Sequence, residues 1–166
     1  MGRYVAYQYE IAKPNEDKAK SKNGATDSTA TKAKAKPKAE SKENGTKVVL
    51  HNLTTGQRDT FPYAMEYVFA KRGKRFLVSD TGLDSMITAA VQTVDCEKGV
   101  KQTLFQQKGK YKQLTLDELG MQATFLADLD TTKERVRPYQ LFYWNGKMKE
   151  NAKEIAHSNT NFGTRT

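Results

Sequence analysis

Cysteine is all but missing from this chain of 166 residues; Cys96 stands alone. A single cysteine excludes an intrachain disulfide and a cysteine-rich zinc site. Histidine is almost as scarce, with only His51 and His157, so a multi-histidine metal centre is not expected. No run of 18 apolar residues occurs, and no helical membrane span follows from the pattern. Met1 is followed by Gly2, Arg3 and Tyr4 without an apolar stretch, so no signal peptide is expected. On that basis the chain is cytoplasmic if complete, and periplasmic or secreted if its true N-terminus lies further upstream. No G-x-S-x-G nucleophile elbow is present. A sustained 3.6-residue period is missing too, and with it the signature of an amphipathic helix.

Residues 13–47 lack even more. They hold no aromatic residue and no Val, Ile, Leu or Met, but ten Lys against five acids. Such a segment cannot bury enough apolar area to offset its chain entropy. It is expected to be a disordered, solvated insertion spanning residues 13–46. The formal charge of +9 suggests nucleic acid or an anionic surface, but about half of it comes from this segment, and its position matters more than its size. A lysine tract also binds nucleic acid in some tails, but here no arginine cluster or interleaved aromatic accompanies it. Nucleic acid is therefore the weaker expectation for a partner.

What is there is a series of short strand signals with a turn about every ten residues. Residues 2–11, GRYVAYQYEI, alternate, with Val5, Tyr7, Tyr9 and Ile11 on one face. A strand cannot satisfy its ladder alone, so this one is expected to be half of a hairpin whose other half is absent. VVLHNLTTGQRDTF reads as strand, Thr-Thr-Gly turn and strand. Further strands are expected at 66–69, 76–78, 89–95, 102–105, 111–116, 123–127 and 139–144, with a loop at 80–86 and another at 128–137. TLDELGMQATFLADL contains good helix formers, but Gly120 near its centre favours a hairpin. Residues 150–157 fit either a strand or a short helix.

The strands repeat. Val48 to Gly56 matches Val91 to Gly99 without a gap, 43 residues apart, and Gly146 follows Gly99 by 47. A second turn repeats as well, because Gly73 and Gly120 are also 47 apart. Gly2 fits the same series if most of the lysine tract is removed. A period of 40–50 residues with about four strands is that of a propeller blade; a β-sandwich is the plainer alternative. The doubled match of both turns favours the propeller. The fold class expected is all-β, a partial propeller of about two to three four-stranded antiparallel blades. Residues 1–12 would end an earlier blade, 47–150 would form about two blades, and 151–166 a weakly ordered tail.

Few side chains carry a chemical signal. His51 and His157 read as solvated or structural histidines rather than bases. Cys96 aligns with Leu53 in the repeat and reads as a small core residue rather than a reactive thiol. Asp80, Asp128, Asp130 and Glu134 are expected in solvated blade loops, without the Asp-and-Gly ladder of a calcium site. Lys71, Arg72, Lys74 and Arg75 form a basic turn, read as an exposed edge in preference to a phosphate clamp. Tyr139, Phe142, Tyr143 and Trp144 read mostly as blade packing, although one face of an aromatic strand can line a tunnel. No catalytic, cofactor-binding or metal-binding residue is assigned.

Residues 109–146, GKYKQLTLDELGMQATFLADLDTTKERVRPYQLFYWNG, resemble a blade from the N-terminal propeller of bacterial prolyl oligopeptidase and dipeptidyl peptidase-type serine peptidases. TKVVLHNLTTGQRDTFPYAMEYVFAKRGKRFLVS resembles the blade before it, and GRYVAYQYE the end of an earlier one. The resemblance covers residues 2–11 and about 47–150. It departs from the family pattern at Arg72 and Leu119, where an Asp usually precedes the turn Gly, and at Ala123, where a large aliphatic is usual. It implies that the chain is a non-catalytic propeller portion. The partners implied are further blades, peptides, and an α/β-hydrolase catalytic domain bearing a Ser-Asp-His triad. None of that triad maps onto this chain. The alternative expectation is a small all-β binding module whose basic arm engages nucleic acid or an acidic partner.

Overall fold

The computed structural model describes residues 3–9, 45–83, 87–130 and 138–157. Ten strands are assigned, and there is no helix among the described residues. They run β1 (Tyr4–Tyr9), β2 (Thr46–Asn52), β3 (Arg58–Phe69), β4 (Arg75–Leu83), β5 (Ile87–Asp95), β6 (Val100–Gln106), β7 (Lys110–Leu116), β8 (Ala123–Asp128), β9 (Tyr139–Trp144) and β10 (Lys153–His157). Every pairing is antiparallel. One sheet has the order β1-β2-β3-β4-β5-β6 and the other β10-β9-β8-β7.

The six-stranded sheet is longer than a blade because β3 belongs to two of them. Its first half pairs with β2 and its second half with β4, with register shifts on both sides near Ala64. Pro62 lies there and cannot donate to a ladder. The irregular pairing accommodates the proline within one strand of 12 residues. Beyond this point the sheet folds back on itself. Val48, Leu50 and Phe61 from one end pack with Phe76, Val78, Val94 and Cys96 from the other in a single core.

The chain is thus three stacked units: β1-β2-β3, then β3-β4-β5-β6, then β7-β8-β9-β10. A second core joins the last two. Leu77, Ala89, Val91 and Leu104 meet Tyr111, Phe125, Phe142 and Trp144, and the Phe125 and Phe142 rings stack at 5.3 Å. In β4, Phe76 and Val78 face one core while Leu77 faces the other. This is the period-2 alternation of a strand buried on both faces. The middle unit is covered on each side, and consecutive up-and-down sheets of this kind stacked face to face make a partial β-propeller.

The repeat seen in the glycines corresponds to equivalent bonds. Asn52 Oδ1 accepts from the amides of Thr54 and Thr55, and Asp95 Oδ1 from those of Glu97 and Lys98. Gly56 N donates to Asn52 O and Gly99 N to Asp95 O, each at 2.8 Å. The turns also tie back to their neighbouring strands alike, Leu53 N to Arg3 O and Cys96 N to Lys74 O, both at 2.6 Å.

Three expectations change. β1 is not without a partner, for it pairs with β2 along Tyr4–Tyr9 across the lysine-rich segment. It therefore shares a unit with β2 rather than ending an earlier one. Sequence adjacency hides this pairing. The loop expected at 80–86 is mostly strand, since β4 runs to Leu83 and β5 starts at Ile87. Residues 153–157 are not loose tail but β10, which closes the last sheet against β9. Its only inward anchor is Ala156, so its alternation is too faint to read. The lysine-rich insertion lies outside the described residues apart from Gly45 and Thr46. The 117–122 turn between β7 and β8 is the hairpin expected around Gly120.

Candidate functional site

The turn at 53–57 joins the last two strands of the first unit. The turns at 70–74, 96–99, 117–122 and 145–150 lie at one end of the last two units, because each joins the first and second or the third and fourth strands of its unit. There the turns of the last two units interlock. The amides of Arg72 and Gly73 donate to Glu118 O at 2.8 and 2.9 Å. A Cβ on Gly73 would stand 2.0 Å from Leu119 O, so only glycine permits this approach.

Between these turns opens a pocket of about 240 Å³ lined by Arg72, Gly73, Lys74, Arg75, Asp95, Glu97, Leu119 and Met121. Of these, Arg75 is only 9% exposed. Its guanidinium lies 5.0 Å from the Trp144 ring, a cation–π arrangement strengthened by burial. Nη2 faces Asp95 Oδ2 at 3.5 Å. Nη1 is buried without a hydrogen-bond partner. Lys74 pairs with Glu97 and Arg72 with Glu118 at the exposed rim. The lining therefore carries three cations and two carboxylates.

The other residues with a chemical signal are dispersed. His51 packs edge-on against Tyr7, with ring centroids 6.5 Å apart. His157 lies on β10, on the far unit. Cys96 is in the core, and its burial pushes the thiol up to about 11. Asp80 is in strand β4 rather than in a loop, half-buried, and accepts from Ala90 N and Gln92 Nε2 at 3.1 and 3.0 Å. Burial raises its carboxyl above the usual range, against the pull of those bonds. Asp128 ends β8 and is buried, so it too is not a solvated loop acid. Asp130 follows it, with its amide on Asp128 Oδ1; Glu134 lies outside the described residues. Phe142 and Trp144 are packed as expected, while Tyr139 and Tyr143 are half-buried. Among the described residues no group of three or more His, Cys, Asp or Glu could hold a metal.

The basic turn is where the sequence reading and the structure part most. Lys71, Arg72 and Lys74 are exposed, as an exposed edge requires, but Arg75 turns inward. The signal that could identify it is its place in the repeat. The pairing of β4 with β5 sets Arg75 opposite Asp95, and that of β1 with β2 sets Tyr4 opposite Asn52.

No family model matches the chain, and no curated protein matches it. Among solved structures it is similar to an acylaminoacyl peptidase from Pyrococcus horikoshii, at 11% identity and a TM-score of 0.44, over 66% of this chain and 20% of that one. It is also similar to the β-propeller domain of the trilobed protease from Pyrococcus furiosus, at 9% identity and a TM-score of 0.36, over 67% of this chain and 48% of that one. The propeller assignment stands on the strand pairing and the two stacked cores.

Proposed function

We propose that this chain is the non-catalytic propeller portion of a prolyl oligopeptidase-type serine peptidase. It would restrict, by steric means, which peptides reach a hydrolase domain that lies outside this sequence.

The observation that carries this reading is the pair of open faces at the ends of the stack. The strand registers make Val5 the counterpart of Phe76, and the turn repeat makes Leu53 the counterpart of Cys96. In the middle unit Phe76 and Cys96 are 0% and 7% exposed, because the first unit covers them. In the first unit Val5 and Leu53 are 43% and 57% exposed. Tyr7, Tyr9 and His51 share that open face. At the other end Leu126, Leu141 and Tyr143 lie half-buried on the outer side of the third unit. Each open face repeats an apolar face that is buried within the stack, which is what an arc of a larger ring presents. The resemblance of residues 109–146 to peptidase blades supplies the kind of ring, and the peptide substrate comes with it.

The test is the mass of the product in its source cells, detected with an antibody raised against the 109–146 peptide, followed by a serine-directed fluorophosphonate probe. A labelled species several times heavier than 18.7 kDa is expected. An unlabelled product of 18.7 kDa would sink the reading.

A further inference from the structure

We propose that the Arg75 pocket is a binding site for a single carboxylate carried beside an apolar side chain, as at the end of a peptide or on an acidic residue. The inference stands apart from the peptidase reading; it rests on Arg75 and its surroundings alone.

The blade does not need a buried guanidinium here. In the first unit the same position is Tyr4, whose Oη accepts from Asn52 Nδ2 at 2.7 Å, a neutral pair. Asn52 is the counterpart of Asp95 by register and by turn. The middle unit replaces this with an ion pair and leaves Arg75 Nη1 without an acceptor. A buried charged donor without a partner is costly. The pocket on which this side chain borders is where an acceptor from outside the chain can supply the missing bond.

The lining selects the ligand. Arg72, Lys74 and Arg75 each face a carboxylate, Glu118, Glu97 and Asp95, so what favours an anion is the unpartnered Nη1 of Arg75, while the three carboxylates oppose a second negative charge in the same space. A monoanion is preferred over a phosphate dianion. Leu119 and Met121 form an exposed apolar rim, which suits an aliphatic neighbour of the carboxylate. Nη1 itself has almost no contact with solvent, so the lining of the pocket must open for the carboxylate to reach it. A volume of about 240 Å³ admits a chain end or a side chain.

The probe is built in. Trp144 is the only tryptophan in the chain, and its ring carries the Arg75 guanidinium. The full chain is titrated with N-acetyl-leucine, N-acetyl-leucinamide, N-acetyl-leucyl-aspartic acid α-amide and inorganic phosphate, and Trp144 fluorescence is followed. N-acetyl-leucine is expected to give a saturable change and its amide none. Saturation by the aspartic amide at lower concentration assigns the carboxylate to an acidic side chain; the reverse order assigns it to a chain terminus. Either order supports the proposal. Arg75→Lys is expected to weaken binding about tenfold, since an ammonium cannot reproduce the guanidinium fork. If that variant does not fold, Leu119→Ala at the exposed rim replaces it, with about threefold weaker binding of N-acetyl-leucine expected. No saturable change, equal binding of the amide, equal binding of phosphate, or unaltered affinity in the folded variant used overturns the proposal.

Discussion

At the scale of single residues, the joint between the last two units depends on a few large side chains. Phe125 is wholly buried, stacked on Phe142 and edge-on to Tyr111 at 6.0 Å. Phe125→Ala removes a ring from a core that the sheets on both sides keep from collapsing, so a loss of about 3–5 kcal/mol in urea unfolding is expected. A loss under about 1 kcal/mol would mean that the units are not held by this core. Cys96 gives a second expectation. Its thiol is raised to about 11 by burial, above the usual thiol value. Between those values the folded state keeps a proton that the unfolded state has lost, so stability falls as pH rises through that window. Below it, native Cys96 should resist thiol reagents and react only on unfolding; fast modification of the native protein at pH 8 would place the side chain at the surface instead.

The elements are made by local chemistry and placed by contacts that the chain order does not show. The turns between the last two strands of each unit each contain a glycine with positive φ: Gly56 at 74°, Gly99 at 65° and Gly146 at 80°. They are not equally constrained. Around Gly56 an added Cβ would meet nothing, whereas on Gly146 it would stand 1.9 Å from Met121 O. Gly56→Ala should therefore cost only the backbone term, about 1–2 kcal/mol. Gly146→Ala should cost clearly more, because the Met121 backbone must move as well. Thermal unfolding of the two variants checks this, and equal shifts would show that the last turn does not sit on its neighbour. Both turns were legible as Gly turns in the sequence. Their different settings were not, since they depend on which turn lies across from each. The continuity of β3 is another such case: Pro62 cannot donate to a ladder, and only the irregular pairing around Ala64 carries the strand past it.

For the whole molecule, the open faces decide behaviour. Four strands lie at sheet edges: β1, β6, β7 and β10. Lys101 on β6, Lys110 and Lys112 on β7, and Lys153 and Glu154 on β10 put charge on three of them. β1, YVAYQY, has none. Charged edges discourage pairing between chains, and an uncharged one invites it. The isolated chain should therefore associate as its concentration rises, through β1 and the face bearing Val5 and Leu53. Sedimentation velocity across a concentration series should show this, and Val5→Asp with Leu53→Asp should shift the boundary towards monomer. A chain that stays monomeric throughout, with a sharp unfolding transition, would contradict both the open-face argument and the partial ring.

Alternation, turn glycines and their spacing determined by themselves that this is an all-β repeat of short strands, because each is a local property of the backbone. They also showed that residues 13–47 lack the apolar groups from which a core is made. The tertiary structure decided what depends on contact across distance. It paired β1 with β2, ran β3 through two units, and closed the last sheet with β10. It turned Arg75 inward while its neighbours Arg72 and Lys74 stayed in solvent. Four adjacent basic residues look alike in a sequence; which one is buried depends on the aspartate and the tryptophan ring that folding brings beside it.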